Sequence, residues 1–211
     1  MTSLRRRFAV ALAVAVASLA LAAGPVRAGA PLDQLRLQVD RVLKVLDDPE
    51  LKKENKAKER RVAVRKIAND IFDFNETAKR SLGRHWAART PAEREEFVQL
   101  FSDLLERSYL SKIELYGGEK IQYLSDSVDD GDQGKVQTKI VTKQGSEIPI
   151  EYRMHKKGEK WLVYDVIIEG VSLVANYRTQ FNKIIQTSSF QELVKKMKSK
   201  QEELASGGTP S

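Results

Sequence analysis

Catalysis needs nucleophiles, bases or metal ligands at workable spacing, and this chain offers few. His85 and His155 are the only histidines in 211 residues, and there is no cysteine. Disulfides, thiol nucleophiles and cysteine metal sites are thereby excluded. His155 lies beside the basic turn Lys156-Lys157 and His85 in a polar loop, without ligand spacing, so both read as surface residues. Asp129-Asp130-Gly131-Asp132 gathers acids but lacks the full calcium-loop pattern, and its composition suits a hairpin turn. There is no Walker A motif and no Gly-x-Ser-x-Gly elbow. The reading is therefore no catalytic set and no metal site.

Asp165 disturbs that picture, because it stands in the middle of an apolar strand. A buried carboxylate tends to a raised pKa and can serve as a general base. The competing reading is a carboxylate paired with a nearby Arg or Tyr, or facing a wet layer. No second catalytic group stands at a useful spacing.

The element that carries Asp165 organises the chain. Trp161 to Ile168 is rich in aromatic and β-branched residues, which favours a strand. Leu162, Tyr164, Val166 and Ile168 alternate with Trp161, Val163, Asp165 and Ile167, so both faces are largely apolar and the strand should be covered on both sides. Gly170 ends it. Leu173, Val174, Tyr177, Phe181, Ile184 and Ile185 then recur at helical spacing.

Upstream, Leu32 to Leu46 forms a helical stripe stopped by Asp47-Asp48-Pro49. The charged stretch from Lys52 to Arg61 reads as a solvated helix or loop with mixed-sign pairs, or alternatively as a docking surface for anionic headgroups or a partner. Asp73 followed by Glu76 opens a short helix ended by Gly83, and Thr90-Pro91-Ala92-Glu93 opens a long one with Phe97, Phe101, Leu104, Leu105 and Ile113 on one face. Strands are expected over 121–128, 135–143, 148–154 and 161–168, joined by short turns as an antiparallel meander. Ser189 to Glu192 opens a last helix.

The N-terminus predicts a leader. Arg5-Arg6-Arg7 precedes an apolar run of 16 residues, Phe8 to Ala23, short of the roughly 20 needed to span a bilayer. Val26-Arg27-Ala28 supplies small residues before Gly29, so 1–28 reads as a cleaved secretory signal peptide, by the general or the twin-arginine route. The net charge of +7 includes four arginines from 1–28, and without them it is +3. Basicity thus argues little for nucleic acid. Residues 29–205 read as one domain and 206–211 as a frayed tail.

Residues 162–181, Leu-Val-Tyr-Asp-Val-Ile-Ile-Glu-Gly-Val-Ser-Leu-Val-Ala-Asn-Tyr-Arg-Thr-Gln-Phe, closely resemble the signature of the MlaC family of periplasmic phospholipid-binding, or toluene-tolerance, proteins. A second block resembles it too: Ile71-Phe72-Asp73-Phe74, Arg80, Ser81-Leu82-Gly83, Trp86 and Thr90 to Arg94, through to Ser108-Tyr109. Thr77 departs from the methionine common in the family. The resemblance implies an α+β fold, NTF2-like, in which a curved four-stranded antiparallel sheet and several helices enclose a deep apolar pocket. It implies a soluble carrier of phospholipid across the periplasm, working with an outer-membrane lipoprotein–porin complex and an inner-membrane ABC transporter with a lipid-binding ring. It brings no enzyme activity and no cofactor, the phospholipid being cargo. Hopanoid is an alternative cargo, and an NTF2-like enzyme with Asp165 as base is an alternative function. Periodicity laid on the family fold nominates as pocket wall Phe74, Phe97, Phe101, Leu105, Tyr109, Ile140, Ile150, Tyr152, Tyr164, Val166, Val171, Val174, Tyr177 and Phe181.

Overall fold

The computed structural model describes residues 30–205 apart from residue 130. The leader, its cleavage point and the 206–211 tail expected from sequence lie outside the described residues. Among these residues six α-helices and five strands run in the order α1 (Pro31–Asp47), α2 (Ala57–Ile71), α3 (Phe74–Leu82), α4 (Pro91–Glu114), β1 (Lys120–Asp129), β2 (Gln133–Val141), β3 (Glu147–Lys157), β4 (Lys160–Ile168), β5 (Val171–Ser172), α5 (Leu173–Thr187) and α6 (Phe190–Ala205), with short 3-10 turns at Glu54–Lys56 and Gly83–His85.

Local chemistry explains the helix starts. Thr90 and Glu93 satisfy each other's amides, with Glu93 N–H donating to Thr90 Oγ1 at 3.2 Å and Thr90 N–H to Glu93 Oε2 at 2.8 Å. Asp73 caps α3 through the Glu76 amide at 3.0 Å, and Ser189 caps α6 through the Glu192 amide at 3.1 Å. Gly83 closes α3 with φ of +56°, a conformation that a side chain would strain.

The sheet is antiparallel and open, with strands in sequence order β1-β2-β3-β4-β5. Four strands match the expected meander. The fifth is a two-residue return that Gly170, at φ of +83°, allows after β4. One face of β2 is polar and exposed through Lys135 and Gln137, while Gly134, Val136 and Thr138 are buried on the other. Gly134 is required: a Cβ there would stand 3.0 Å from the Trp161 ring, which lies across it.

β4 departs from strict alternation. The β3 register steps from Met154 opposite Val163 to Arg153 opposite Asp165, so Tyr164 is an extra, bulged residue. The phase changes there. Trp161 and Val163 face the sheet-side core before the bulge, and Val166 faces the same core after it. The expectation that Trp161 and Val163 share one face and Val166 the opposite one is corrected on this point.

Candidate functional site

Two buried apolar clusters form the interior, and they are built differently. The helical cluster joins α3, α4, α5 and α6 through Leu82, Phe97, Phe101, Phe181, Phe190, Leu193 and Met197. Its centre is aromatic. Phe101 meets Tyr177 at 5.0 Å and Phe181 at 5.2 Å edge to face, and it stacks on Phe97 at 5.8 Å between ring centres. Trp86 packs against this cluster beneath the Arg94 guanidinium. The sheet cluster joins α1, α2 and the strands through Leu35, Ile67, Ile71, Val136, Met154, Trp161 and Val163. A smaller group of Leu46 and Val64, with Tyr116 against it, closes the end of α1 and α2.

Each cluster carries half-buried apolar residues at its margin. Leu105 and Tyr177 lie against the helical cluster, and Tyr152 and Val166 against the sheet cluster. Tyr109 stands near Tyr177, and burial pushes both hydroxyls up from the ordinary tyrosine value, with Ser108 partly opposing this at Tyr177. Burial raises Tyr152 as well.

The remaining nominated wall residues are spread more widely. Phe97, Phe101 and Phe181 are in the ring-packed helical centre, and Ile150 and Val174 are buried. Ile140 is half-buried on β2. Phe74 is half-buried and stacks on Phe72 at 5.7 Å. Tyr164, on the bulge, takes the Arg80 guanidinium over its ring at 3.9 Å and His155 against its edge. Val171 is 57% exposed on β5.

Asp165, His155 and Asp73 have structural partners. Asp165 is 4% exposed, and both its oxygens are engaged. The Ser172 hydroxyl donates to Oδ2 at 2.6 Å and the Val174 amide to Oδ1 at 3.0 Å, with Arg153 at 3.8 Å. Ser172 Oγ in turn accepts from the Ala175 amide and so caps α5. The carboxylate thus ties the middle of β4 to the first turn of α5, which is the paired reading of the two offered by the sequence. His155 is not beside a turn but within β3, half-buried, with Nε2 at 3.2 Å from Asp73 Oδ2. Lys157 reaches the same oxygen at 3.2 Å. Burial opposes the charge on Asp73, but the Glu76 amide, Lys157 and His155 outweigh it and hold the carboxyl below its ordinary range. Sequence spacing hid this group, because its members come from α3 and β3.

Tyr123 stands outside every motif in the sequence. It lies on β1 beneath α1, with Arg36 at 4.6 Å over its ring and no hydrogen-bond partner for its buried hydroxyl. Burial, aided by Asp40 and Tyr152 and opposed by Arg36, pushes it up to about 12. Its one sequence signal was alternation with Ile121.

The charged stretch expected to solvate a face or dock a partner is internally paired. Lys52 meets Asp47, Lys53 meets Glu50 and Lys56 meets Glu59. Farther along, α2 reaches across to α4: Arg60 and Arg61 to Glu114, and Arg65 to Glu106. Arg61 does so with two parallel bonds of 3.0 Å. Among the described residues no group of three or more His, Asp or Glu is placed to hold a metal, and no helix is long and apolar enough to cross a membrane. A cavity of about 60 Å³ lies under α1 between Leu35, Ile71, Met154 and Trp161.

An antiparallel sheet backed by helices, with two buried apolar clusters, defines an α+β fold. A solved structure has the same fold: a phospholipid-binding protein from Ralstonia solanacearum in complex with a phospholipid, TM-score 0.73 and 24% identical, covering 83% of this chain and 99% of that one. The family model described as MlaC protein matches residues 37–199, and the chain belongs to the MlaC family. Among relatives, the intermembrane phospholipid transport system binding protein MlaC of Haemophilus influenzae is 25% identical over 138 residues, covering 62% of this chain and 64% of that protein. The toluene tolerance protein ttg2D of Pseudomonas putida is 24% identical over 125 residues, covering 59% and 58%. The chain thus spans about three fifths of the length of these two relatives.

Proposed function

We propose that this protein is an exported carrier of phospholipid, holding acyl chains between the margins of its two apolar clusters. The observation that carries this reading is the incomplete union of those clusters. Leu105 and Tyr177 on one side, and Tyr152 and Val166 on the other, stay half-buried on a fold shared with a phospholipid-binding protein. Each methylene removed from water is worth about 0.8 kcal/mol, so a chain of about a dozen methylenes gains roughly 10 kcal/mol from a dry site. That is the barrier a soluble carrier removes when lipid crosses an aqueous compartment. The lipid headgroup stays at the mouth, hydrated. Supply and delivery fall to an outer-membrane lipoprotein–porin complex and an inner-membrane ABC transporter, the partners that the family resemblance implies; one relative's name goes as far as an intermembrane phospholipid transport system.

Organic extraction and mass spectrometry of the purified protein test this directly. Co-purifying phospholipid is expected; a hopanoid would redirect the cargo class. Val166→Glu should leave the circular dichroism spectrum intact and cut bound lipid several-fold. Wild-type lipid content in that variant would place the cargo elsewhere.

A further inference from the structure

A separate cleft of about 360 Å³ opens on the surface where the end of α3 meets α5. It is lined by Leu82, Arg84, His85, Arg178, Thr179 and Asn182, with no acidic side chain among them. Neighbouring cations on the same stretch of chain are neutralised: Arg80 by Glu76, Arg89 by Glu93. Arg84 and Arg178 pair with no carboxylate among the described residues. Two guanidinium groups thus line one concave surface that has no carboxylate among its lining residues.

These side chains are held in place. The Arg178 stem lies against Gly83, where a Cβ would stand 3.3 Å from Arg178 Cδ. Its Nε donates to the Arg80 carbonyl at 2.7 Å, which leaves the terminal nitrogens to other acceptors. Arg84 donates to Asn182 Oδ1 at 2.8 Å, and His85 Nε2 lies 3.0 Å from the same oxygen. Arginine can only donate, so the amide oxygen must face it, and His85 Nε2 must carry a proton to share that oxygen. Asn182 Nδ2 is anchored to Gln186 at 3.1 Å. A guanidinium fixed through one nitrogen presents the others as a ready fork for a tetrahedral oxyanion. At about 360 Å³ the cleft is larger than a bare ion needs. Its Leu82 floor is apolar.

We propose that this cleft binds a phosphate ester, with the phosphoryl oxygens on Arg84 and Arg178 and the alcohol portion over Leu82. The site is distinct from the acyl-chain site and does not depend on it. The ester has two sources, a free phosphate ester in solution or the headgroup of an anionic lipid presented by a bilayer.

Two assays on the full purified chain separate them: calorimetric titration with glycerol 3-phosphate, and co-sedimentation with phosphatidylglycerol/phosphatidylcholine vesicles against phosphatidylcholine alone. Each is repeated on Arg84→Gln/Arg178→Gln and on Lys195→Gln/Lys196→Gln, which removes equal charge from the exposed face of α6. Binding of glycerol 3-phosphate that falls at least tenfold in the arginine variant only establishes the site with a soluble ligand. Vesicle binding that needs phosphatidylglycerol and falls in the arginine variant only establishes it with a headgroup. No binding in either assay, or equal losses in the two variants, overturns the proposal. All four replaced side chains are exposed, so both variants should fold.

Discussion

The helical half and the sheet half solve the same burial problem with different materials. Around α4 the centre is a stack of rings, Phe97, Phe101, Phe181 and Tyr177, whose edge-to-face contacts fix orientation as well as exclude water. Under the sheet the centre is aliphatic, Leu35, Ile67, Val136, Met154 and Val163, with the tyrosines Tyr123 and Tyr152 set among polar neighbours. Rings lock a packing; branched aliphatics and Met adapt to a changed occupant. The contrast teaches that rigidity and accommodation are placed in different halves, with β4 and α5 joining them through Asp165.

The largest test of that contrast is Phe101→Ala. Losing a ring with three aromatic neighbours should cost about 3–5 kcal/mol. The loss should open α4, α5 and α6 to amide hydrogen exchange first. If the sheet amides lose protection to the same extent, the two halves are one cooperative unit and the comparison fails.

Asp165 comes next, because it is the link. Asp165→Ala leaves the Val174 amide and the Ser172 hydroxyl without their acceptor, at a cost of about 2–3 kcal/mol. Asp165→Asn retains an oxygen for one of them and should cost less. Denaturant melts of the two variants measure the difference. Equal stability to wild type in both would mean that the carboxylate does not couple β4 to α5.

The smallest effect concerns Asp73, where α3 meets β3. Its folded pKa lies below the ordinary 3.8, so the unfolded chain binds the proton more readily. The stability it contributes is therefore complete above the ordinary carboxylate range and is lost as pH falls through the depressed folded value. Asn still caps α3, so Asp73→Asn removes only the ion pairs and should cost about 0.5–1 kcal/mol at neutral pH and progressively less in acid, followed by urea melts across that window. A pH-independent difference would remove the ion pairs from the account.

Most of the architecture was legible in the chain because its signals are local. Thr90 with Glu93, Asp73 with Glu76 and the Asp/Gly-rich turn after Val128 each act within a few residues. The bulge at Tyr164 was not legible, since no Gly or Pro marks it and it arises from pairing with β3. The partner of His155 lay hidden for the same reason, since Asp73 comes from a distant part of the chain, whereas Ser172 and Val174 reach Asp165 across the short return after β4. The nominated wall residues met a deeper limit. A stripe of Phe97, Phe101 and Leu105 has one period whether it fills a core or lines a hollow, because periodicity encodes facing and not depth.

The tryptophans divide between the halves in the same way. Trp86 rests against the ring-packed side under Arg94, and Trp161 is buried across Gly134 on the sheet side. As there are only two, each half carries its own built-in fluorophore. With Trp86→Phe or Trp161→Phe, emission from the survivor reports on one half at a time, so a response of either side to added phospholipid can be read without attaching a dye.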